Sequence, residues 1–258
     1  MVEPVPARGE RRLRAPSRGS SRRPTEGLSL KSQPNLKTLL LFDLDGTLID
    51  SSRDISNAAN YALEKIGMRV RTRDEIQSFI GDGVARLVER MLYGHEAQRP
   101  ADMAADPDLC RRVLKLVKVH YSQNLLTLTR PYPGVDETLK RLSDYPKAVL
   151  TNKPHGMTDE ILKGLGWSDY FGFVLGGDTA QRKKPDPSSV LEALRHFSRQ
   201  PEEALFVGDS LMDIQASRAA RVPTCAVLYG YGDRALLKAA QPDYTIERFD
   251  ELLGILKP

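Results

Sequence analysis

TLLLFDLDGTLIDS, residues 38–51, sets four consecutive apolar side chains, Leu39 to Phe42, directly before two carboxylates one residue apart, Asp43 and Asp45, and a Gly46-Thr47 turn. A short run that is apolar at every position and bounded by turn residues is the pattern of a strand buried on both faces, and such strands belong to parallel sheets. The acids then stand where the strand ends. In open α/β sheets the ligand crevice lies beyond the carboxyl ends of the strands, so the two acids are poised over a site. Along extended chain, side chains i and i+2 point the same way, which lets Asp43 and Asp45 face one small volume. Two like charges that close need a counterion, and a hard divalent cation such as Mg2+, which takes oxygen ligands and holds phosphates, would supply it. The same residues also fit a strand that ends in a plain Asp-Gly turn. An EF-hand fits less well, because its glycine comes five residues after the first Asp, whereas Gly46 comes three after Asp43.

Downstream of this stretch the rhythm is helical. Ser51 and Asp54 match a capping box with Ser51 as the N-cap. Ile55, Ala58, Ala59, Ala62, Leu63 and Ile66 then recur at spacings of three and four, one face of a helix. Further helices are expected near 74–80 and 84–92, and a long one over 107–128. No strand pattern interrupts residues 52–128, which therefore read as a small helical lid inserted after the acidic strand end. PYPG, residues 131–134, punctuates a change to alternating strands and helices. Strands are expected at 147–151, 171–175, 204–207 and 224–228, helices at 135–142, 156–165, 188–197 and 212–220, and a terminal helix near 246–256. That alternation implies βαβ units and a doubly wound parallel sheet.

The 258 residues, 40% hydrophobic and 28% charged, are those of an ordinary globular protein with room for a sizeable core. The net charge of +4 is unevenly spread: residues 1–36 hold eight Lys and Arg against three Glu, a net of +5, so the rest of the chain carries −1. The basic balance is thus a property of the first segment and is no sign that the folded part binds nucleic acid. That segment is rich in Arg, Pro, Ser and Gly and nearly devoid of apolar residues, so it is expected to be a disordered extension. An organellar transit peptide and a basic arm for nucleic acid or an acidic partner are its other readings; Glu3, Glu10 and the prolines speak against an amphipathic targeting helix. Cys110 and Cys225 show no disulfide or zinc spacing and fit small buried hydrophobes. No apolar run approaches the roughly 20 residues of a membrane span, and no secretory signal is visible, so a cytoplasmic address without membrane attachment is expected.

The polar residues at the later strand ends carry the chemistry. KAVLTNK puts Thr151 at one strand end, KKPDP puts Lys183 and Lys184 after a second, and ALFVGDSLMD puts Asp209 and Asp213 after a third. If these strands run parallel to the first, a hydroxyl, an ammonium and four carboxylates converge. Each alone fits a strand-end hydroxyl, a solvated turn or a helix cap; their succession at strand ends does not.

DLDGT (Asp43 to Thr47), Thr151, Lys184 and GDSLMD (Gly208 to Asp213) stand in the order of the four motifs of the haloacid dehalogenase-like phosphatases, and the chain resembles that family from about Leu39 to its C-terminus. DLDGTLIDS, PYPGV, LTNKP, FVGDSLMDIQAS and LYGYG make it most similar to the phosphoglycolate phosphatase branch. The resemblance implies a Rossmann-like core, residues 37–51 and 130–258, with an all-helical cap, residues 52–129. It implies Asp43 as nucleophile forming an aspartyl phosphate, and Asp45 as general acid and base. It implies Mg2+ held by Asp43, Asp209 and the backbone carbonyl of Asp45, with Thr151, Asn152 and Lys184 on the phosphate and Asp213 orienting Lys184 or a metal-bound water. Asp45 argues against a dehalogenase, which lacks the second acid, and Thr47 against a sugar-phosphate mutase. Lys183 is a poorer match than Lys184, since the family lysine directly precedes the proline. IGDGVARLVER, residues 80–90, resembles the cap loop that faces the site, so Arg86 or Arg90 is expected to pair with a substrate carboxylate such as that of 2-phosphoglycolate. Arg221 departs from the pattern, standing where relatives usually have Gly. Pyrophosphate, a sugar phosphate or a nucleotide are the alternative substrates, and a monomer or homodimer the expected state.

Overall fold

The computed structural model describes residues 1–2, 38–94 and 105–256. The basic segment read as disordered therefore lies, beyond its first two residues, outside the described residues. The stretch that opened the sequence reading is the centre of a six-stranded parallel sheet. Strand β1 (Leu39–Phe42) pairs on one side with β4 (Lys147–Leu150) and on the other with β6 (Ala204–Gly208). Outside β4 lies β5 (Phe173–Leu175); beyond β6 come β7 (Thr224–Val227) and β8 (Tyr244–Ile246), giving the order β5-β4-β1-β6-β7-β8. The chain fills one side of β1 and then crosses to the other, so β1 sits at the point where a ligand crevice opens beyond the strand ends.

Both faces of β1 are covered, which is why its sequence does not alternate. Leu40 and Phe42 pack with Val149, Leu205, Val207 and Phe249, while Leu39 and Leu41 pack on the opposite face with Ala148, Leu150, Val190 and Phe206. Each of the four is fully buried, worth about 1.5–3 kcal/mol per side chain relative to exposure. The covering helices are α5 (Val135–Arg141), α6 (His155–Gly164), α7 (Ser188–His196) and α8 (Leu211–Ala219).

A two-residue antiparallel pair, β2 (Ile49–Asp50) with β3 (Arg130–Pro131), brackets the helical insert. Between them lie α1 (Ser52–Lys65), α2 (Arg73–Gln77), α3 (Val84–Tyr93) and α4 (Pro107–Ser122), and no strand among the described residues. α1 and α4 pack through Ala58, Ala59, Ala62 and Leu63 against Val113, Val117 and Tyr121.

Three expectations are corrected. The long helix stops at Ser122 rather than running to 128. The C-terminal segment read as one helix over 246–256 begins on the last residue of the edge strand β8 and holds only a 3-10 turn, Phe249–Glu251, and a short helix, Leu252–Ile255; a further helix, Arg234–Ala239, precedes it. And Ser51 caps α1 without a side-chain bond, because both members of the expected capping box are used elsewhere. Ser51 Oγ donates to Asp45, and Asp54 Oδ2 accepts from the N–H groups of Leu128 and Thr129 and from Thr129 Oγ1, each at 2.8 Å. Asp54 thus ties α1 to the chain returning from the insert. Asp54→Ala strands three donors around a buried position, so urea unfolding is expected to give a loss of about 2–4 kcal/mol. After α8, Arg221 takes the left-handed conformation (φ 61°) that glycine adopts more readily.

Candidate active site

The strand ends converge as the parallel topology requires. Asp43 follows β1, Thr151 follows β4 and Asp209 follows β6, all buried. Lys184, buried on the loop after β5 and followed by a cis Lys184-Pro185 bond, is the ammonium among them. Its Nζ lies 2.8 Å from Asp43 Oδ1 and 2.6 Å from Asp213 Oδ1, and donates to the Leu150 carbonyl at 2.8 Å. Asp213 is oriented in turn by the N–H and hydroxyl of Ser210, at 3.0 and 2.6 Å to Oδ2. Lys183 is exposed beside it.

Asp209 has a different set of partners. Thr47 Oγ1 donates to one oxygen at 3.0 Å and the Tyr231 N–H to the other at 2.7 Å, and no side-chain cation pairs with it among the described residues. The turn that brings Thr47 round requires Gly46, at φ 85°, where a Cβ would overlap the Asp209 carboxylate. This is the reason for the glycine in DLDGT.

The electrostatics are those of a cation site. Burial pushes the Asp43 carboxyl up to about 6 despite Lys184, with Asp213 and Asp45 adding to the rise. Burial, then Asp43 and Asp213, holds Asp209 well above the usual carboxylate range. Burial alone would lower Lys184, yet Asp213 and Asp43 raise it above an ordinary lysine. Three buried carboxylates stand against one ammonium, which pairs with Asp43 and Asp213, so the cluster keeps a net negative charge. Asp43, Asp209 and Asp213 offer oxygens within 4.8 Å of one another. Asp213 is already paired with Lys184, whereas Asp209 meets no side-chain cation among the described residues, so Asp43 and Asp209 are the better placed pair for a metal, and an all-oxygen donor set suits a hard divalent ion.

Asp45 stands apart from this cluster, held by groups that the sequence reading did not single out. Lys153 Nζ reaches its two oxygens at 2.9 and 3.0 Å and donates to Tyr121 Oη, on α4, at 2.7 Å. Burial would lower Lys153, but Asp45 and then Tyr121 raise it above its ordinary value. The position two residues beyond Thr151 in LTNKP was the available signal; Tyr121, seventy-six residues from Asp45 by their numbering, carried none.

Other assignments are redistributed. The Asn152 amide donates to the carbonyls of Gly81 (2.9 Å) and Lys184 (3.1 Å) and accepts from the Lys184 N–H (2.9 Å). Both of its side-chain N–H groups are therefore spent joining the 80–83 loop to the lysine loop, and none remains for a phosphate oxygen. Arg86 pairs with Glu89 at 2.6 Å and Arg90 with Asp82. Neither lines the cavity of about 60 Å³ that opens beside the acids; its walls include Asp43, Asp45, Ile80, Val84, Leu87, Val117, Lys118, Tyr121, Thr151 and Lys153.

The model of the family described as haloacid dehalogenase-like hydrolase matches residues 40–227, a span that begins in β1 and ends with β7. The chain belongs to the haloacid dehalogenase-like hydrolases. Within that family its relatives are of the phosphoglycolate phosphatase branch. It is 41% identical over 196 residues to a phosphoglycolate phosphatase of Nitrosospira multiformis, covering 75% of this chain and 84% of that one. It is 34% identical over 220 residues to one of Nitrosococcus oceani, covering 84% and 96%. A crystal structure of a predicted phosphoglycolate phosphatase from Haemophilus somnus superimposes with a TM-score of 0.78 at 31% identity, covering 85% of this chain and 98% of the other.

Proposed function

We propose that the chain is a Mg2+-dependent phosphatase that hydrolyses 2-phosphoglycolate to glycolate and inorganic phosphate through an aspartyl phosphate on Asp43. The observation that carries this reading is the meeting of Asp43 and Asp209, which follow the adjacent strands β1 and β6, with Lys184 from the loop after β5, and with a second acid, Asp45, held just outside the cluster. The phosphatase names of the relatives support it.

An Asp43 carboxylate oxygen attacks phosphorus, the bond from phosphorus to the glycolate oxygen breaks, and Asp45 gives its proton to that oxygen. Asp45 then takes a proton from water, whose oxygen attacks the phosphoryl group and releases phosphate, regenerating Asp43. Thr151 Oγ1 and the Lys184 ammonium bind phosphoryl oxygens, and Asp213 holds Lys184 in place. Asp43, Asp209 and the backbone carbonyl of Asp45 would hold Mg2+, which supplies positive charge against the phosphate and the nucleophile. Phosphoryl transfer asks chiefly for positioning and charge, and this cast provides both.

Residues 52–129 act as the cap, excluding water and setting substrate size. The cavity, with room for only a few water-sized groups, favours a two-carbon tail over a sugar or a base. No helix among the described residues is long and apolar enough to cross a membrane, and we assign the protein to the cytoplasm.

The test is phosphate release from 2-phosphoglycolate, pyrophosphate, a hexose phosphate and a nucleotide, each with Mg2+ and with excess EDTA. The highest kcat/KM on 2-phosphoglycolate, and none in EDTA, is expected. A preference for a substrate without a carboxylate overturns the substrate, and undiminished turnover in EDTA overturns the metal.

A further inference from the structure

We infer that Lys153 is the specificity residue of this site: its ammonium, buried between Asp45 and Tyr121 and facing the cavity, takes the carboxylate of the substrate's tail. The inference rests on the 2-phosphoglycolate reading above.

The length of the substrate fixes where its partner must stand. In 2-phosphoglycolate the carboxylate carbon is two bonds from the leaving oxygen, and Asp45 is the acid assigned to that oxygen. A cation that meets the carboxylate must therefore sit beside Asp45, and Lys153 Nζ is 2.9 Å from it. Of the two arginines offered by the sequence, Arg86 pairs with Glu89 and Arg90 with Asp82, and neither lines the cavity. Of the described residues that line the cavity, only Lys118 and Lys153 are cations; Lys118 is exposed on α4, whereas Lys153 is buried. Attraction between charges is far stronger where water is excluded. Tyr121 fixes the ammonium by a 2.7 Å hydrogen bond, and the apolar walls, Ile55, Val84, Leu87, Val117 and Met157, offer a carboxylate nothing.

Without substrate the ammonium is spent on both Asp45 oxygens, and Ser51 holds one of them as well. A substrate carboxylate that accepts from Lys153 frees an Asp45 oxygen to face the leaving oxygen. An uncharged tail leaves Asp45 clamped. Discrimination therefore falls on kcat as well as on KM, so the tail is sensed by the residue that restrains the acid.

The experiment compares kcat and KM for 2-phosphoglycolate and for ethyl phosphate, which carries a methyl in place of the carboxylate, in wild type, Lys153→Met, Lys153→Gln and Lys118→Met. Lys153→Gln keeps a hydrogen bond to Asp45 without the charge, should Lys153→Met fold poorly. Wild type is expected to prefer 2-phosphoglycolate by about 10²-fold or more, and both Lys153 variants to bring the two esters within a few-fold, chiefly through loss on 2-phosphoglycolate. Lys118→Met is expected to keep the preference. Equal losses on both esters would reduce Lys153 to a prop for Asp45 and overturn the inference, as would loss of the preference in Lys118→Met alone. A wild type with no preference for 2-phosphoglycolate would instead overturn the substrate reading on which it rests.

Discussion

Asp43→Asn is expected to abolish phosphate release, lowering kcat by about 10⁴-fold or more, in a protein at least as stable as wild type when metal is removed. The amide has nearly the shape of the carboxyl but cannot attack phosphorus. Its effect on the fold runs the other way. The Asp43 carboxyl is pushed up to about 6, chiefly by burial, so at neutral pH the folded protein carries an ionised group that its surroundings disfavour. Removing that charge leaves Lys184 its 2.6 Å contact with Asp213 and lessens the repulsion on Asp209. Thermal melts in EDTA together with kinetics in Mg2+ check both halves: no activity, and a melting temperature equal to or above that of wild type. A variant that is inactive because it is unfolded would not bear on the nucleophile.

Lys184→Met is expected to cost both activity and stability. Its ammonium serves Asp43, Asp213 and the Leu150 carbonyl at once. Without it Asp213, fully buried, has no cation, and the Leu150 carbonyl loses a donor. Breaking a buried ion pair from one side costs about 3–5 kcal/mol, which for a domain of this size lowers the melting temperature by about 10 °C. Adding Asp213→Asn to the variant is expected to restore part of that loss without restoring turnover, since the stranded charge is gone but the phosphate partner is still missing. Additive losses in the double variant would mean that the two side chains do not act as a pair.

The features legible in the sequence were those written in contiguous residues. Leu39 to Phe42 announced a strand buried on both sides because no position had to face water, and Asp43, Asp45 and Gly46 followed without a gap. Thr151, Lys184 and Asp209 could be found because a parallel sheet brings successive strand ends together. What escaped the reading depends on distant partners. Ser51 and Asp54 have capping-box spacing, but Asp45 and the Thr129 segment compete for them and win. β8, Tyr244–Ile246, is a three-residue edge strand paired with β7, too short for its own residues to announce it. Lys153 was not singled out because Tyr121, which fixes it, comes from a helix of the insert. Arg86 and Arg90 sit in the segment expected to face the site, yet their acidic neighbours on that same segment, Glu89 and Asp82, claim them.

The central claim is that Asp43 carries the phosphoryl group between substrate and water. It is tested most directly in Asp45→Asn, where the base needed for the second step is gone. Acetyl phosphate is a suitable donor because acetate leaves without needing a proton. Mixed with this variant and Mg2+ and quenched in acid within seconds, the protein is predicted to hold close to one phosphoryl group per chain, located by peptide mass spectrometry on Asp43. Phosphate released over many turnovers with no phosphorylated protein at any time, or a phosphoryl group on another residue, would contradict the account.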